Sequence, residues 1–140
     1  MITQKQYTLE MLNEGGPMTL PKHLGIEITE VGDDYLVGRM PVEPRTHQPM
    51  GILHGGASVV LAETLGSVGS FLCLDSSKFY AVGLEINANH VRSVRNGYVY
   101  GRASLVHLGK TTHIWDIRIT SEDGKLVNIS RLTMAILPIA

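Results

Sequence analysis

The residues most able to do chemistry are a His-Gly-Gly triplet, His54–Gly56, and a single carboxylate, Glu63, on the predicted helix that follows. From Gly55 to Leu74 the sequence is almost entirely apolar, and Glu63 is its only charged residue. A carboxylate on such a helix must be paired, neutralised or used in a reaction. The free N–H groups at the start of the helix form a binding site for a developing negative charge. Together these features favour acyl transfer or hydrolysis.

The spacing of the two groups predicts where the reaction takes place. His54 and Glu63 lie nine residues apart, which is roughly 13 Å along a helix. At about 100° per residue, the same nine steps place their side chains on opposite sides of the helix. One chain cannot easily bring both groups to the same atom, whereas two copies with antiparallel helices can. We therefore expect an active site between subunits.

Length and composition predict a single domain over residues 1–140, with a helical segment over residues 1–20. The chain is 44% hydrophobic, which suits one core. Its net charge of −1 is made of scattered charges, so no basic stripe indicates nucleic acid. The N-terminus lacks the apolar stretch of a secretory signal, polar residues interrupt the apolar helix, and the one cysteine, Cys73, allows no internal disulfide. We expect a cytoplasmic protein with no membrane or nucleic-acid partner.

Alternation of apolar and polar residues predicts six strands, two before the long helix and four after it. They cover residues 26–29, 35–40, 80–88, 98–107, 112–120 and 127–136. Asn96-Gly97 and Asp123-Gly124 are hairpin signals, so the last four strands are predicted to form an antiparallel meander. A single sheet curled round one apolar helix buries both, which predicts an α+β fold whose sheet edge needs a partner.

The alternation also predicts details of two strands. One face of the third strand is expected to hold Tyr80, Val82, Leu84, Ile86 and Ala88. In the last strand the apolar positions change from odd, at Val127 and Ile129, to even, from Leu132 onward. This change predicts a β-bulge near Ser130–Arg131.

Five stretches occur in a characteristic order, and they extend over roughly residues 20 to 137. They are Arg45–Glu63, which contains the His-Gly-Gly triplet, then Gly66–Val68, Gly83–Ser93, His107–Gly109 and Ser130–Thr133. In this order they resemble the hotdog-fold acyl-CoA thioesterases. More narrowly, they are similar to the small bacterial aroyl-CoA thioesterases related to 1,4-dihydroxy-2-naphthoyl-CoA hydrolase of menaquinone synthesis.

The resemblance implies a hotdog fold, in which one antiparallel sheet wraps round a long central helix. It implies a homo-oligomer, either a dimer or a dimer-of-dimers homotetramer, with sites at the dimer interface. The implied reaction is hydrolysis of acyl-CoA thioesters, aromatic ones above all, to the free acid and CoA. No metal and no other cofactor is implied, because CoA is part of the substrate.

The resemblance also implies roles for individual residues. Glu63 corresponds to the catalytic carboxylate, as nucleophile or general base, and Ser67 to a hydroxyl residue near it. Gln48 and His54 would act from the other subunit, and the Gly55 backbone N–H would polarise the thioester carbonyl. The residues expected to bind the acyl group and CoA are Val68, His90, Arg92, Ser93, Gly109, Lys110 and Thr111. The acyl group is expected against the helix face at Leu65, Val68 and Leu72.

Alternatives remain for single residues and for the function. His54 could only cap the helix, Ser67 could bond a backbone carbonyl one turn earlier, and His90 could be a hydrogen-bonded core residue. The alternative functions are a thioesterase for acyl- or aroyl-carrier proteins, a hotdog hydratase or dehydratase, and a non-catalytic acyl-CoA sensor. The chain has no Gly-x-Ser-x-Gly elbow and no His-x-x-x-His or cysteine pair, which argues against a serine hydrolase and a zinc hydrolase.

Overall fold

The computed structural model describes all 140 residues, which form one six-stranded antiparallel sheet, one long helix and two short helices. The helices are α1 (Leu9–Glu14), α2 (Leu20–His23) and α3 (Gly55–Cys73). The strands are β1 (Glu27–Val31), β2 (Tyr35–Pro41), β3 (Phe79–His90), β4 (Tyr98–Leu108), β5 (Thr112–Ser121) and β6 (Leu126–Pro138). The predicted α+β class, with one sheet around a central helix, is confirmed.

The order of the strands corrects one part of the prediction. They lie in the order β1-β2-β4-β5-β6-β3, so β4, β5 and β6 form a meander, whereas β3 lies beyond β6 at the edge. The Asp123-Gly124 turn joins β5 to β6, with Gly124 at φ +80°. Asn96-Gly97 is a turn, with Gly97 at φ +78°, but not a hairpin, because β3 and β4 do not pair. The dipeptide determines only local backbone shape, whereas the neighbours of a strand depend on long-range packing.

A bulge in β3 overturns the predicted single apolar face of that strand. Gly83 pairs with Met134 and Glu85 pairs with Thr133, which leaves Leu84 as an extra residue. The face that points toward α3 therefore changes from odd to even positions at the bulge. The partly buried residues are Ala81, Ile86 and Ala88, whereas Tyr80, Val82 and Leu84 are exposed.

The bulge in β6 lies three residues before the predicted position. Ile119 pairs with Asn128 and Thr120 pairs with Leu126, so Val127 is the extra residue. Asn128 and Ser130 already occupy even-numbered core positions and are buried. Because these two side chains are polar, the apolar pattern of the sequence did not reveal where the strand changed face.

Two glycines let α3 pack closely on the sheet. A Cβ at Gly66 would lie 2.4 Å from Leu132 Cδ2, and one at Gly69 would lie 2.6 Å from the Trp115 ring. The next residue, Ser70, is buried, and its hydroxyl accepts a hydrogen bond from Trp115 Nε1 at 2.9 Å. The same hydroxyl lies 2.9 Å from Nδ1 of buried His113, and burial lowers the pKa of this histidine, which favours its neutral form.

The opposite face of α3 is not covered by the sheet. By length and composition α3 could cross a membrane, but half of its apolar window is buried inside the fold, and a core helix passes the same test. The half-exposed positions form an i, i+4 stripe made of Val59, Val60, Glu63, Thr64, Ser67 and Val68. The expected burial of the helix on all sides is therefore wrong for a single chain.

The two edges of the sheet differ. At β1 the side chain of Asn13 bonds both the carbonyl and the N–H of Ile28, at 2.8 and 2.7 Å, and so occupies part of that edge. At the other edge, β3 pairs only with β6 and leaves the second side of a 12-residue strand open. Its exposed apolar side chains are Phe79, Tyr80, Val82 and Leu84. A long open edge of this kind favours pairing with another strand.

Candidate active site

The start of α3 leaves one backbone donor free. His54 is the N-cap, and its Nδ1 accepts a hydrogen bond from Gly56 N–H at 2.8 Å. The N–H groups of Ala57 and Ser58 bond to the His54 carbonyl at 3.0 and 3.3 Å. Of the first four N–H groups of the helix, Gly55 alone has no acceptor within the chain. The positive end of the helix is therefore available to a ligand at this position.

Packing explains why two glycines follow His54. A Cβ at Gly55 would lie 2.8 Å from His90 Nε2, and one at Gly56 would lie 2.9 Å from His54 Nδ1. Both distances are shorter than real contacts allow, so either substitution would displace an imidazole ring. The triplet thus places two histidine rings next to the free N–H of Gly55.

The free N–H belongs to a cavity of about 420 Å³ that also contains Gln48 and His90. The Gln48 Oε1 accepts a hydrogen bond from the Met50 N–H, which leaves its Nε2 without a partner in the chain. The His90 Nδ1 is bonded to Asn128, which leaves its Nε2 at the Gly55 side. Two unpaired N–H donors, those of Gly55 and Gln48, therefore converge on one cavity beside the His90 ring, an arrangement that suits a carbonyl oxygen gaining negative charge.

Glu63 lies in a second cavity, of about 450 Å³, on the half-exposed face of α3. Its carboxylate forms no ion pair within the chain, and it packs against Gly83, where a Cβ would lie 2.9 Å from Oε2. Ser67 lines the same cavity, but its hydroxyl contacts the sulfur of Met134 at 3.7 Å rather than Glu63. The carboxylate is thus unpaired and accessible.

The walls of this second cavity differ from the expected ones. Leu65 and Leu72 are buried inside the fold, so the expectation that they would contact an acyl group is wrong. Val68 does line the cavity. The remaining apolar walls come from the helix and from α2, and consist of Val59, Val60, Leu20 and Pro21.

The two cavities have no residue in common. In a single chain the N–H donors and the carboxylate therefore lie in separate cavities, as the spacing of His54 and Glu63 predicts. A site that contains both sets of groups requires a second copy of the chain.

The residues predicted to bind CoA are divided between two regions. Arg92 and Ser93 line the cavity at Gly55. Gly109 and Lys110 line a separate cavity of about 570 Å³, next to Cys73. Thr111 lines none of these cavities, and its carbonyl accepts a hydrogen bond from the Ile136 N–H. Burial raises the pKa of the Cys73 thiol, so this cysteine is not an activated nucleophile.

Two polar residues were missed by the sequence analysis, one that lines the first cavity and one that contacts a lining residue, His90. Ser58 is buried in the wall of this cavity, one turn after His54. Asn128 is fully buried on β6, directly opposite His90 in the strand pairing. The i, i+4 spacing from His54 could have indicated Ser58, but nothing local in the sequence links Asn128 to His90.

Comparison with known proteins identifies relatives over nearly the whole chain. Residues 50–128 match the model of the thioesterase superfamily. The chain is 51% identical to 1,4-dihydroxy-2-naphthoyl-CoA hydrolase of Escherichia coli K12, over 98% of this chain and 100% of that protein. It is 47% identical to the proofreading thioesterase EntH of Cronobacter turicensis, over 98% and 99% of the two chains. A crystal structure of a mutant thioesterase from Pseudomonas aeruginosa superposes with a TM-score of 0.96 at 50% identity, covering 99% of this chain and 100% of that chain.

The capping geometry yields a prediction about stability. Replacing His54 with Ala leaves the Gly56 N–H without its acceptor, so the free energy of unfolding should fall by about 1 kcal/mol. His54→Asn supplies an oxygen acceptor in a similar place and should stay within about 0.5 kcal/mol of the wild type. Urea denaturation at equal protein concentration measures both. Equal stability of the Ala variant and the wild type would show that the cap contributes nothing.

Proposed function

Because the chain belongs to the thioesterase superfamily, we propose that it hydrolyses aromatic acyl-CoA thioesters at sites formed between two copies of the chain. The observation that carries this proposal is the separation of two complementary half-sites. One holds the unpaired N–H donors of Gly55 and Gln48, and the other holds the unpaired carboxylate of Glu63. An acyl-CoA thioesterase requires both, one for the thioester oxygen and one for attack at the carbon.

The first step uses the donor half-site. The thioester carbonyl oxygen accepts a hydrogen bond from the Gly55 N–H, and the developing charge is stabilised by the start of α3. A preorganised donor of this type contributes about 3 kcal/mol to the transition state. The Gln48 amide supplies a second donor. His54 keeps its Nδ1 in the cap, so its Nε2 side is free to orient the substrate or water.

The carboxylate comes from the partner subunit's Glu63. It either takes a proton from a water that attacks the thioester carbon, or attacks that carbon itself to form a mixed anhydride that water then cleaves. In both routes the carbon–sulfur bond breaks, CoA leaves as the thiol, and the acyl group leaves as the free acid. Ser67 lies one turn after Glu63 and can turn its hydroxyl toward the carboxylate when substrate is bound.

The sheet edge and the open helix face support assembly as a dimer. Pairing of two β3 edges would extend the sheet across the dimer and cover the exposed apolar side chains of that strand. The same two-fold contact would pack the half-exposed faces of two α3 helices side by side and antiparallel. Each Glu63 cavity would then face the donor cavity of the other copy, which yields two sites per dimer.

The acyl group is proposed to lie in the Glu63 cavity. Its apolar walls come from Val59, Val60 and Val68 of α3 and from Leu20 and Pro21 of α2. A flat ring fills such a space better than a two-carbon chain, because more apolar surface leaves water. The relative from Escherichia coli named 1,4-dihydroxy-2-naphthoyl-CoA hydrolase is consistent with this class of substrate. Arg92 and Lys110 are proposed to contact the phosphates of CoA.

Removing the charge of Glu63 tests its role. Glu63→Gln preserves the size of the side chain, so kcat should fall by orders of magnitude while substrate binding is retained. Release of the CoA thiol, detected with a disulfide reagent, measures the rate and excludes hydration or dehydration, which release no thiol. The matched control is Glu10→Gln on α1, where the carboxylate is exposed and far from α3 in sequence. Retention of more than about a tenth of kcat by Glu63→Gln would refute the assignment.

Subunit exchange tests whether the site is composite. Chains carrying Glu63→Gln and chains carrying His54→Asn should each be nearly inactive alone. In an equal mixture, half of the dimers are mixed and each contains one intact site, so the activity per chain should rise to about a quarter of the wild type. Exchange is verified by native mass spectrometry with one chain isotopically labelled. Proven exchange without any recovery would place both groups in the same chain's site.

A substrate panel tests the aromatic preference. Burial of a ring in place of acetyl provides about 2–3 kcal/mol at roughly 25 cal/mol per Å², so kcat/KM for benzoyl- or naphthoyl-CoA should exceed that for acetyl-CoA by about 30- to 150-fold. Medium-chain aliphatic acyl-CoAs complete the panel. Equal values for acetyl-CoA and benzoyl-CoA would refute the aromatic preference without affecting the thioesterase activity.

A further inference from the structure

Two buried polar side chains on β6 need an explanation. Asn128 and Ser130 are 0% and 2% exposed, on a strand whose other inward positions hold Leu132, Met134 and Ile136. Polar groups at such positions destabilise a fold unless each is hydrogen-bonded, and apolar side chains of similar volume would pack there at lower cost. Their presence therefore suggests a task beyond packing.

The two side chains form a chain of hydrogen bonds that ends on His90. The Ser130 hydroxyl donates to Asn128 Oδ1 at 2.6 Å. The Asn128 Nδ2 lies 3.1 Å from His90 Nδ1, and the two residues are direct partners in the β3–β6 pairing. In the structure Asn128 turns its Nδ2 rather than its Oδ1 toward the ring. With this orientation the amide N–H donates and Nδ1 accepts. The proton of the neutral ring is thereby placed on Nε2.

The Nε2 atom of His90 lies at the end of this series of hydrogen bonds that is nearest to the cavity. It is the atom nearest to where a Cβ of Gly55 would be, at 2.8 Å, and His90 lines the same cavity as Gly55 and Gln48. A proton on Nε2 is therefore presented beside the free N–H of Gly55. If the proton were on Nδ1, a bare nitrogen would lie there and would repel a carbonyl oxygen.

We infer that Asn128 and Ser130 are positioning residues that hold His90 with its Nε2–H toward the cavity, where it donates a hydrogen bond to the thioester oxygen beside Gly55 N–H. This inference rests on the proposed function, because it assigns to His90 a donor role in the same reaction. It adds a catalytic contact for His90 and a reason for the two buried polar residues of β6.

The first test is the position of the ring proton in the wild-type dimer. Nitrogen-15 NMR of histidine-labelled protein distinguishes the two neutral forms, and His90→Gln identifies the signal. We expect the proton on Nε2 at a pH where the spectrum shows a neutral ring. A proton on Nδ1 would overturn the inference without any reference to activity.

The second test reverses the polarity of the contact. Asn128→Asp keeps the shape of the side chain but replaces the N–H donor with an acceptor, so the neutral ring should move its proton to Nδ1 and lose its donor toward the cavity. We expect kcat for benzoyl-CoA to fall on the order of 100-fold, with KM changed less than about twofold, because the contact forms mainly in the transition state. A moved proton with unchanged kcat would overturn the inference.

A control separates this effect from general loss of structure. Ser70→Ala removes another buried hydroxyl, on the far part of α3, which bonds His113 and Trp115 of β5. It should lower stability without changing kcat or the His90 spectrum. If the Asn128→Asp variant does not fold, Ser130→Ala replaces it. That variant frees the Asn128 amide to turn, so part of the His90 ring population should carry the proton on Nδ1. We expect kcat to fall at least about threefold. An unchanged proton position or an unchanged kcat would overturn the inference.

The outcomes also separate this inference from the proposed function. A wild-type protein that releases no thiol from any acyl-CoA would contradict the proposed function, while the NMR measurement would still report on the hydrogen-bond chain. A wild-type protein with full activity and an Asn128→Asp variant with equal kcat would contradict the inference alone.

Discussion

A single backbone N–H, that of Gly55, determines much of the surrounding structure. It is the one donor at the start of α3 that has no partner in the chain, so its acceptor must come from outside the chain, from water or from a bound ligand. His54 bonds the next N–H, and the His54 carbonyl accepts the following two, so Gly55 alone offers a free N–H at the start of the helix. The two glycines are required because any side chain there would displace the rings of His54 or His90. The His-Gly-Gly motif is thus a consequence of keeping this donor open.

This donor is useful only if α3 cannot shift along the sheet. Gly66 and Gly69 bring the helix so close that Leu132 and the Trp115 ring occupy the space of the missing methyl groups. A displacement of the helix would create clashes or voids in a close-packed core, and either is costly. Ser70 adds directional bonds to His113 and Trp115. These contacts fix the far end of the helix on the sheet.

Prediction from sequence succeeded where the pattern was strong and local. The bounds of α3, the hairpin at Asp123-Gly124 and the separation of His54 from Glu63 all follow from helix period or turn chemistry. It failed where long-range packing decided the result. β3 leaves the meander to pair with β6, and its bulge at Leu84 moves the helix-facing positions from odd numbers to even ones. Asn128 and Ser130 are buried, but because they are polar the sequence pattern predicts them to be surface residues. For this reason neither the register of β6 nor the contact with His90 could be predicted.

The proposed composite site is the reason why a two-fold dimer is the simplest assembly for this chain. In the proposed reaction the carboxylate of Glu63 and the N–H of Gly55 act on the same thioester. Within one chain, the geometry of the α-helix holds these two groups apart. If one chain brought them together, α3 would have to break between His54 and Glu63, and the core around Leu61 and Ala62 would be lost. In the proposed dimer, a second copy of the chain supplies the missing group without any change in the fold. Because a two-fold axis repeats every contact, one open helix face and one open strand edge are enough to build two sites.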